Sequence, residues 1–200
     1  MQPLSSEQFA AMRQDAEVVE KDAHGEKVLR LTDGTYLKLF RRKSWFSKTV
    51  LFPPAVRFAE NAKALQQLQI PCPQVIQLYK LTDPYRSVVH YEPLEGTTLR
   101  HLLNQQPSLE QLELFGMLAE FITHLHDLGV YFRSLHLGNI VRTPDGELGL
   151  IDISDMRCLG RPLSRQMRNR NYRHLLRYQN DWALVNPAAR SAFDPDGSKI

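Results

Sequence analysis

The polar residues of two short segments carry the chemistry readable in this sequence. Phe132 to Asn139 runs FRSLHLGN, and Leu150 to Ser154 runs LIDIS. Asn139 is followed by the apolar pair Ile140-Val141, a turn at Pro144-Asp145-Gly146, a second apolar run from Leu148 to Ile151, and then Asp152. A hairpin of this kind brings its two ends to one edge, so an amide oxygen and a carboxylate converge. Such a pair suits magnesium, which is held by one or two protein oxygens while water and phosphate fill the rest of its shell. The chemistry implied is phosphoryl transfer, which depends on positioning and charge neutralisation more than on covalent steps. The plainer alternative is that Asn139 caps a turn and Asp152 is a loop carboxylate.

The spacing is that of a kinase catalytic loop. Such loops run His-Arg-Asp, four residues, then Asn, with a second metal-binding Asp on the following hairpin. Arg133 and Asn139 occupy their places, and Arg133 is expected to brace the loop. The position of the proton-accepting Asp holds Ser134. A neutral hydroxyl does not take a proton at pH 7 as a carboxylate does, and loss of a general base typically costs about 10²–10⁴ in rate. Ser134→Asp is therefore expected to raise any transfer rate. His136 is a second proton acceptor in reach of the loop, or a hydrogen-bonding member of it.

These residues need elements to hold them. Glu17–Lys21 and Lys27–Leu31 read as strands about a turn that contains Gly25, and Asp33-Gly34 reads as a two-residue hairpin turn. After it, TYLKLF alternates, with Tyr36, Lys38 and Phe40 on one face and Leu37 and Leu39 on the other. Pro53-Pro54 starts a helix to about Gln69, with Val56, Ala59, Ala64 and Leu68 as apolar positions and Glu60 on its length. Strands at Val75–Leu81 and Arg86–Tyr91 follow, and Glu92–Gly96 is a connector. A short helix at Thr98–Leu103 comes next. Ser108 and Gln111 offer a capping box for a longer helix with Leu112, Phe115, Leu118, Ala119, Ile122 and Leu125 on one stripe, and Gly129 lies past its end. From about Arg161 to Tyr178 the chain reads as an Arg-rich helix, and the last dozen residues as a frayed tail.

Strand-borne Lys38, helix-borne Glu60, the run Leu135-His136-Leu137-Gly138-Asn139 and the pair Ile151-Asp152 together resemble the bacterial lipopolysaccharide kinase family. That family includes kinases acting on Kdo and heptose of the lipopolysaccharide core, and small relatives labelled toluene tolerance proteins. The Leu-His-x-Gly-Asn run is also similar to that of aminoglycoside and choline-type kinases. The resemblance spans roughly residues 17 to 155. It implies an α+β, protein-kinase-like fold with a sheet-rich first lobe (17–91), a hinge (92–97) and a reduced helical lobe (98–200). It implies ATP and Mg²⁺ as cofactors, held by Lys38, Glu60, Glu92 and Gly25 for the nucleotide and Asn139 and Asp152 for the metal, and a sugar hydroxyl of an envelope glycolipid as acceptor. In that scheme Lys38 faces Asn139 and Asp152, paired with Glu60. The sequence departs from the pattern at Ser134, at Phe132 in place of His, at Ile153-Ser154 after Asp152, in having one glycine where a glycine-rich phosphate loop is usual, and at Tyr36, whose ring narrows the space beside Lys38. Ser134 supports a second reading, a pseudokinase that binds nucleotide as a scaffold or regulator of envelope assembly.

Bulk properties constrain less. A net charge of +3 on 200 residues argues for no particular partner. The local clusters say more. Arg157, Arg161, Arg165, Arg168, Arg170, Arg173 and Arg177 crowd one stretch, and guanidinium forks match phosphate oxygens. Phosphorylated core sugar, anionic lipid and RNA all fit that composition, as does a solvated helix; nucleic acid is the least expected partner, resting on the arginines alone. RRKSWFSK (Arg41 to Lys48) mixes cations with Trp45 and Phe46, which suits a membrane interface. The two cysteines, Cys72 and Cys158, fit a reducing compartment. With no basic leader and no run of roughly 18 apolar residues, a cytoplasmic protein is expected, touching the inner membrane at most peripherally. His124 and His126 are two apart on a helix and make a poor metal pair.

Overall fold

The alternation that begins at Tyr36 builds the centre of the first sheet. Leu37 and Leu39 are buried, whereas Tyr36, Lys38 and Phe40 are half-buried on the opposite side. The computed structural model describes residues 1–41, 53–105 and 108–183. The chain divides into two units, Met1–Leu65 with Cys72–Pro93, and Gln66–Pro71 with Leu94–Ile200. Their mixed α+β content is that of a kinase-like fold.

The first unit contains β1 (Gln2–Leu4), α1 (Ser6–Met12), β2 (Glu17–Asp22), β3 (Gly25–Arg30), β4 (Tyr36–Arg41), α2 (Pro54–Gln67), β5 (Gln74–Thr82) and β6 (Tyr85–Glu92). The six strands form one sheet in the order β1-β5-β6-β4-β3-β2, antiparallel except for the β1–β5 pair. Leu29, Leu37, Leu39 and Val88 make the core on one face, covered by Phe9 and Met12 of α1. That helix starts at a capping box, Ser5 with Gln8, which the sequence reading passed over.

Two local expectations change. The turn before β4 is a three-residue loop closed by Leu31 and Thr35, with Gly34 at φ +86 and Asp33 accepting from the Thr35 N–H and hydroxyl. Helix α2 buries Ala55, Phe58, Ala62 and Leu65, not Val56, Ala59, Ala64 and Leu68. Phe58 is the largest apolar side chain on the helix, and its ring sits 5.4 Å from that of Tyr91. Burying it outweighs the smaller alanines on the flank.

The second unit contains β7 (Thr97–Thr98), α3 (Leu99–Gln105), α4 (Ser108–Asp127), β8 (Val130–Phe132), β9 (Ile140–Arg142), β10 (Leu148–Leu150), β11 (Met156–Cys158), α5 (Arg165–Leu176) and α6 (Gln179–Ala183). Strands β10, β9 and β7 form one small sheet, and β11 pairs with β8 in another. Leu118, Ile122 and Leu125 of α4 are buried as the stripe requires, but Leu112 is 43% exposed and Leu114 is buried in its place. Gln111 donates to the Leu103 carbonyl at 3.1 Å, tying α4 to the end of α3. The side chain of Ser108, residues 42–48 of the basic loop and the C-terminal tail lie outside the described residues.

Helix α5 begins later than the sequence implied, after the Ser164 N-cap, whose hydroxyl accepts from the Met167 N–H. Its inward face is Asn171, Tyr172 and Leu175; Arg165, Arg170 and Arg173 are exposed, while Arg168 is half-buried, donating to the Leu163 carbonyl and pairing with Asp127. Buried Asn171 donates to the Phe132 carbonyl and contacts Nε2 of buried His126. One side chain therefore joins α4, α5 and β8 directly beneath the loop that follows β8.

Candidate functional site

Two short ladders in the second unit converge on the segment between β8 and β9. In the first, Leu150 pairs with Ile140, and the Ile151 N–H then donates to the Asn139 carbonyl at 3.0 Å. Asn139 and Asp152 are thereby drawn to the same end of the β9–β10 hairpin. In the second ladder Met156 pairs with Phe132. This sets Ser134, two residues past β8, beside Asp155, one residue before β11.

Side chains complete the arrangement. The Ser134 hydroxyl donates to Asp155 Oδ2 at 2.6 Å, and the Ser134 N–H reaches Oδ1 of the same carboxylate at 3.4 Å. Asn139 is buried, and its Nδ2 donates to the Ser134 carbonyl at 2.9 Å. That fixes the amide orientation and leaves Oδ1 as the atom available to a cation. Asp152 has φ +53, one of three non-glycine residues in the left-handed region among the described residues. Such backbone costs of order 1 kcal/mol or more in a residue with a Cβ and collects at functional sites. It caps the 3₁₀ turn Ile153–Asp155, in which Ile153 is fully buried.

Asn139 and Asp152 fit magnesium by donor chemistry: one amide oxygen and one carboxylate, each on backbone held from the other side of a hairpin. No group of three His, Cys, Asp or Glu side chains converges among the described residues.

The other expected site residues are placed as follows. His136 is a structural member of the loop: its Nδ1 accepts from the Gly138 N–H at 3.1 Å, caps the 3₁₀ turn Leu137–Asn139 and lies 3.3 Å from an Arg100 nitrogen. Burial, then the Arg100 charge, holds its pKa below the usual histidine value. Both effects favour the neutral ring, and acceptance from the Gly138 N–H at Nδ1 puts its proton on Nε2. Arg133 is exposed and braces nothing by hydrogen bonding among the described residues; its charge helps depress the pKa of His174, after burial and Arg177. The bracing role belongs to Asn139 and Asp155.

In the first unit, Lys38 is half-buried at mid-β4, opposite Val89 of β6, with its ammonium 5.8 Å from the Phe40 ring centre. Tyr36 lies beside Tyr91 on the same face, at 5.7 Å. Glu60 is exposed on α2. The reason is rotational. Phe58 turns toward the sheet, and two residues at about 100° each carry Glu60 to nearly the opposite side of α2. Asn61 is the polar residue that α2 buries. Glu92 is exposed at the end of β6, and Gly25 is exposed at φ +111 where β3 begins.

A cavity of about 800 Å³ opens next to His136, lined by Arg100, Asn104, Arg177, Tyr178 and Asp181. Asp181 is buried and binds Arg100 through both oxygens, at 2.5 and 3.0 Å. This bond raises the Arg100 pKa. Tyr178 lies 4.4 Å from the His136 ring, and the Arg177 guanidinium stands 5.3 Å from the Tyr178 ring. Two guanidinium groups and one carboxylate leave the cavity with an excess of positive charge. Sequence reasoning missed both Asp155 and this cavity.

Both cysteines are free. Burial raises the Cys72 thiol to about 11 and pushes Cys158 upward as well. No helix among the described residues is long and apolar enough to cross a membrane.

The model of the phosphotransferase enzyme family, APH, matches residues 15–188. No curated protein matches the chain.

Proposed function

The chain belongs to the phosphotransferase enzyme family, and from that premise we propose that it transfers the γ-phosphoryl group of ATP to a sugar hydroxyl, of the lipopolysaccharide core or a related envelope glycolipid. The observation that carries this reading is the joining of Asn139 and Asp152 by the Ile151–Asn139 backbone bond, with the Asn139 amide nitrogen committed to the loop. In this reading Asn139 Oδ1 and the Asp152 carboxylate hold Mg²⁺, which neutralises phosphate charge when bound. In the same reading Lys38 supplies a cation for the nucleotide phosphates, and Gly25, at the start of β3, supplies a backbone N–H to them. Arg177 at the 800 Å³ cavity, beside an Arg100 already paired with Asp181, supports an anionic acceptor, because guanidinium groups pair with carboxylate and phosphate oxygens. The exposed Arg157, Arg161, Arg165, Arg170 and Arg173 support contact with a phosphorylated glycolipid at a membrane surface.

A second reading rests on Ser134. With a hydroxyl in place of the proton-accepting carboxylate, the chain binds MgATP and transfers nothing to an external acceptor. One experiment separates the two. Purified protein is incubated with γ-labelled ATP, Mg²⁺ and deacylated core oligosaccharide. Label in the oligosaccharide that disappears in Asp152→Asn supports transfer. Binding of MgATP with no labelled oligosaccharide supports the scaffold. Absence of MgATP binding removes both.

A further inference from the structure

We infer that Ser134 is a phosphoryl acceptor, modified by the chain's own nucleotide chemistry with Asp155 as the base. The inference rests on the nucleotide-binding reading above and goes beyond it, because it concerns a residue of the protein itself.

The geometry is that of a hydroxyl nucleophile beside its base. A nucleophilic serine needs a proton acceptor within about 2.6–3.2 Å. Asp155 Oδ2 accepts from Ser134 Oγ at 2.6 Å, in the range of a hydrogen bond to an ionised carboxylate. Asp155 is itself held, since it ends the 3₁₀ turn that Asp152 caps and leads directly into β11. The Ser134 backbone carbonyl accepts from Asn139 Nδ2, so the residue that carries the nucleophile is fixed to a candidate metal ligand. Both Ser134 and Asp155 are half-buried, so neither is sealed in the core. The serine at this position thus offers a nucleophile where a base is expected, and the 3₁₀ turn before β11 carries a carboxylate to serve it.

The step balances as follows. Ser134 Oγ attacks the γ-phosphorus of a nucleoside triphosphate, and an Oγ–P bond forms. The bond from that phosphorus to the β–γ bridging oxygen breaks, and the nucleoside diphosphate leaves with its electron pair. The Oγ proton passes to Asp155. Nothing is oxidised or reduced.

The test uses the full chain, treated with phosphatase and then given ATP and Mg²⁺, with peptide mass spectrometry to locate phosphate and a thermal shift to report nucleotide binding in the same samples. The expected result is one phosphoryl group on Ser134, acquired at a rate independent of protein concentration. Asp155→Asn should slow it by about 10²-fold or more. Ser134→Ala should remain unmodified, and Ser134→Thr should gain phosphothreonine; the Thr variant keeps the test open if the Ala variant misfolds. Binding of MgATP with Ser134 left unmodified overturns the inference and leaves the nucleotide-binding reading intact. Modification of Asp155→Asn at the wild-type rate also overturns it. No thermal shift with MgATP overturns the underlying reading and the inference with it.

Discussion

The side-chain amide of Asn139 donates to the backbone carbonyl of Ser134 at 2.9 Å. A single residue therefore both shapes the loop and presents an oxygen for a cation. Asn139→Ala removes a buried partner and should lower stability by about 1–3 kcal/mol, the cost of leaving a buried acceptor unsatisfied. It should also abolish any Mg²⁺-dependent nucleotide shift. Asn139→Asp keeps the oxygen but loses the donor, so it should lower stability while retaining part of that shift. Chemical denaturation with and without MgATP measures both.

Asp155 alters what a restored carboxylate at position 134 would do. The sequence reading expects Ser134→Asp to raise transfer. The structure sets position 134 against an existing carboxylate, and two such groups this close do not both ionise freely. Ser134→Asp alone should therefore be destabilised by about 1–2 kcal/mol at pH 7 and less so near pH 4. Adding Asp155→Ser should restore stability, giving a coupling of about 0.5–3 kcal/mol in a double-mutant cycle. Strict additivity would mean that the two side chains do not meet.

His136 predicts a pH dependence. Its folded pKa lies below the ordinary value of 6.5 because of burial and the neighbouring Arg100. A depressed folded pKa means that the unfolded chain binds the proton more readily, so the stabilisation is complete above about pH 6.5 and is lost as the pH falls through the lower folded value. His90 and His174 are shifted in the same direction, chiefly by burial. Stability should fall on acidification from pH 7 to pH 5. His136→Asn retains a side-chain acceptor for the Gly138 N–H and should flatten part of that fall, as seen in urea midpoints across the range.

Gly149 predicts a packing limit under the same hairpin. A Cβ there would stand 2.5 Å from the Pro71 carbonyl oxygen and 2.6 Å from a Leu94 methyl carbon. The same Pro71 carbonyl accepts the Leu150 N–H at 2.9 Å, so it has little freedom to retreat. Gly149→Ala should cost about 1–3 kcal/mol, read as a lowered denaturation midpoint. Gly146→Ala, where a Cβ meets nothing nearer than 4.0 Å, should cost less despite its φ of +87.

The Asn139–Asp152 juxtaposition was legible because Pro144-Asp145-Gly146 and two apolar runs define a hairpin whatever surrounds it. The β8–β11 ladder was not, because three-residue strands carry too little alternation to register, and with it went the Ser134–Asp155 contact. Helix α2 was legible in extent, but its buried face was not. Alanines and valine offered a stripe of the right period, and the size of Phe58 decided the face. Leu112 lost to Leu114 on α4 in the same way, one residue pattern yielding to another of equal hydrophobicity. Arg133 and His136 were read from spacing alone, which says nothing of whether a guanidinium finds a partner or an imidazole is already used as a cap.

The most direct test of the account is calorimetric titration of ATP into the full chain with Mg²⁺ and with EDTA, repeated on Asp152→Asn. The account predicts binding that needs Mg²⁺ and is lost in the variant while the circular dichroism spectrum is unchanged. Equal binding with EDTA, or undiminished binding by Asp152→Asn, would contradict it.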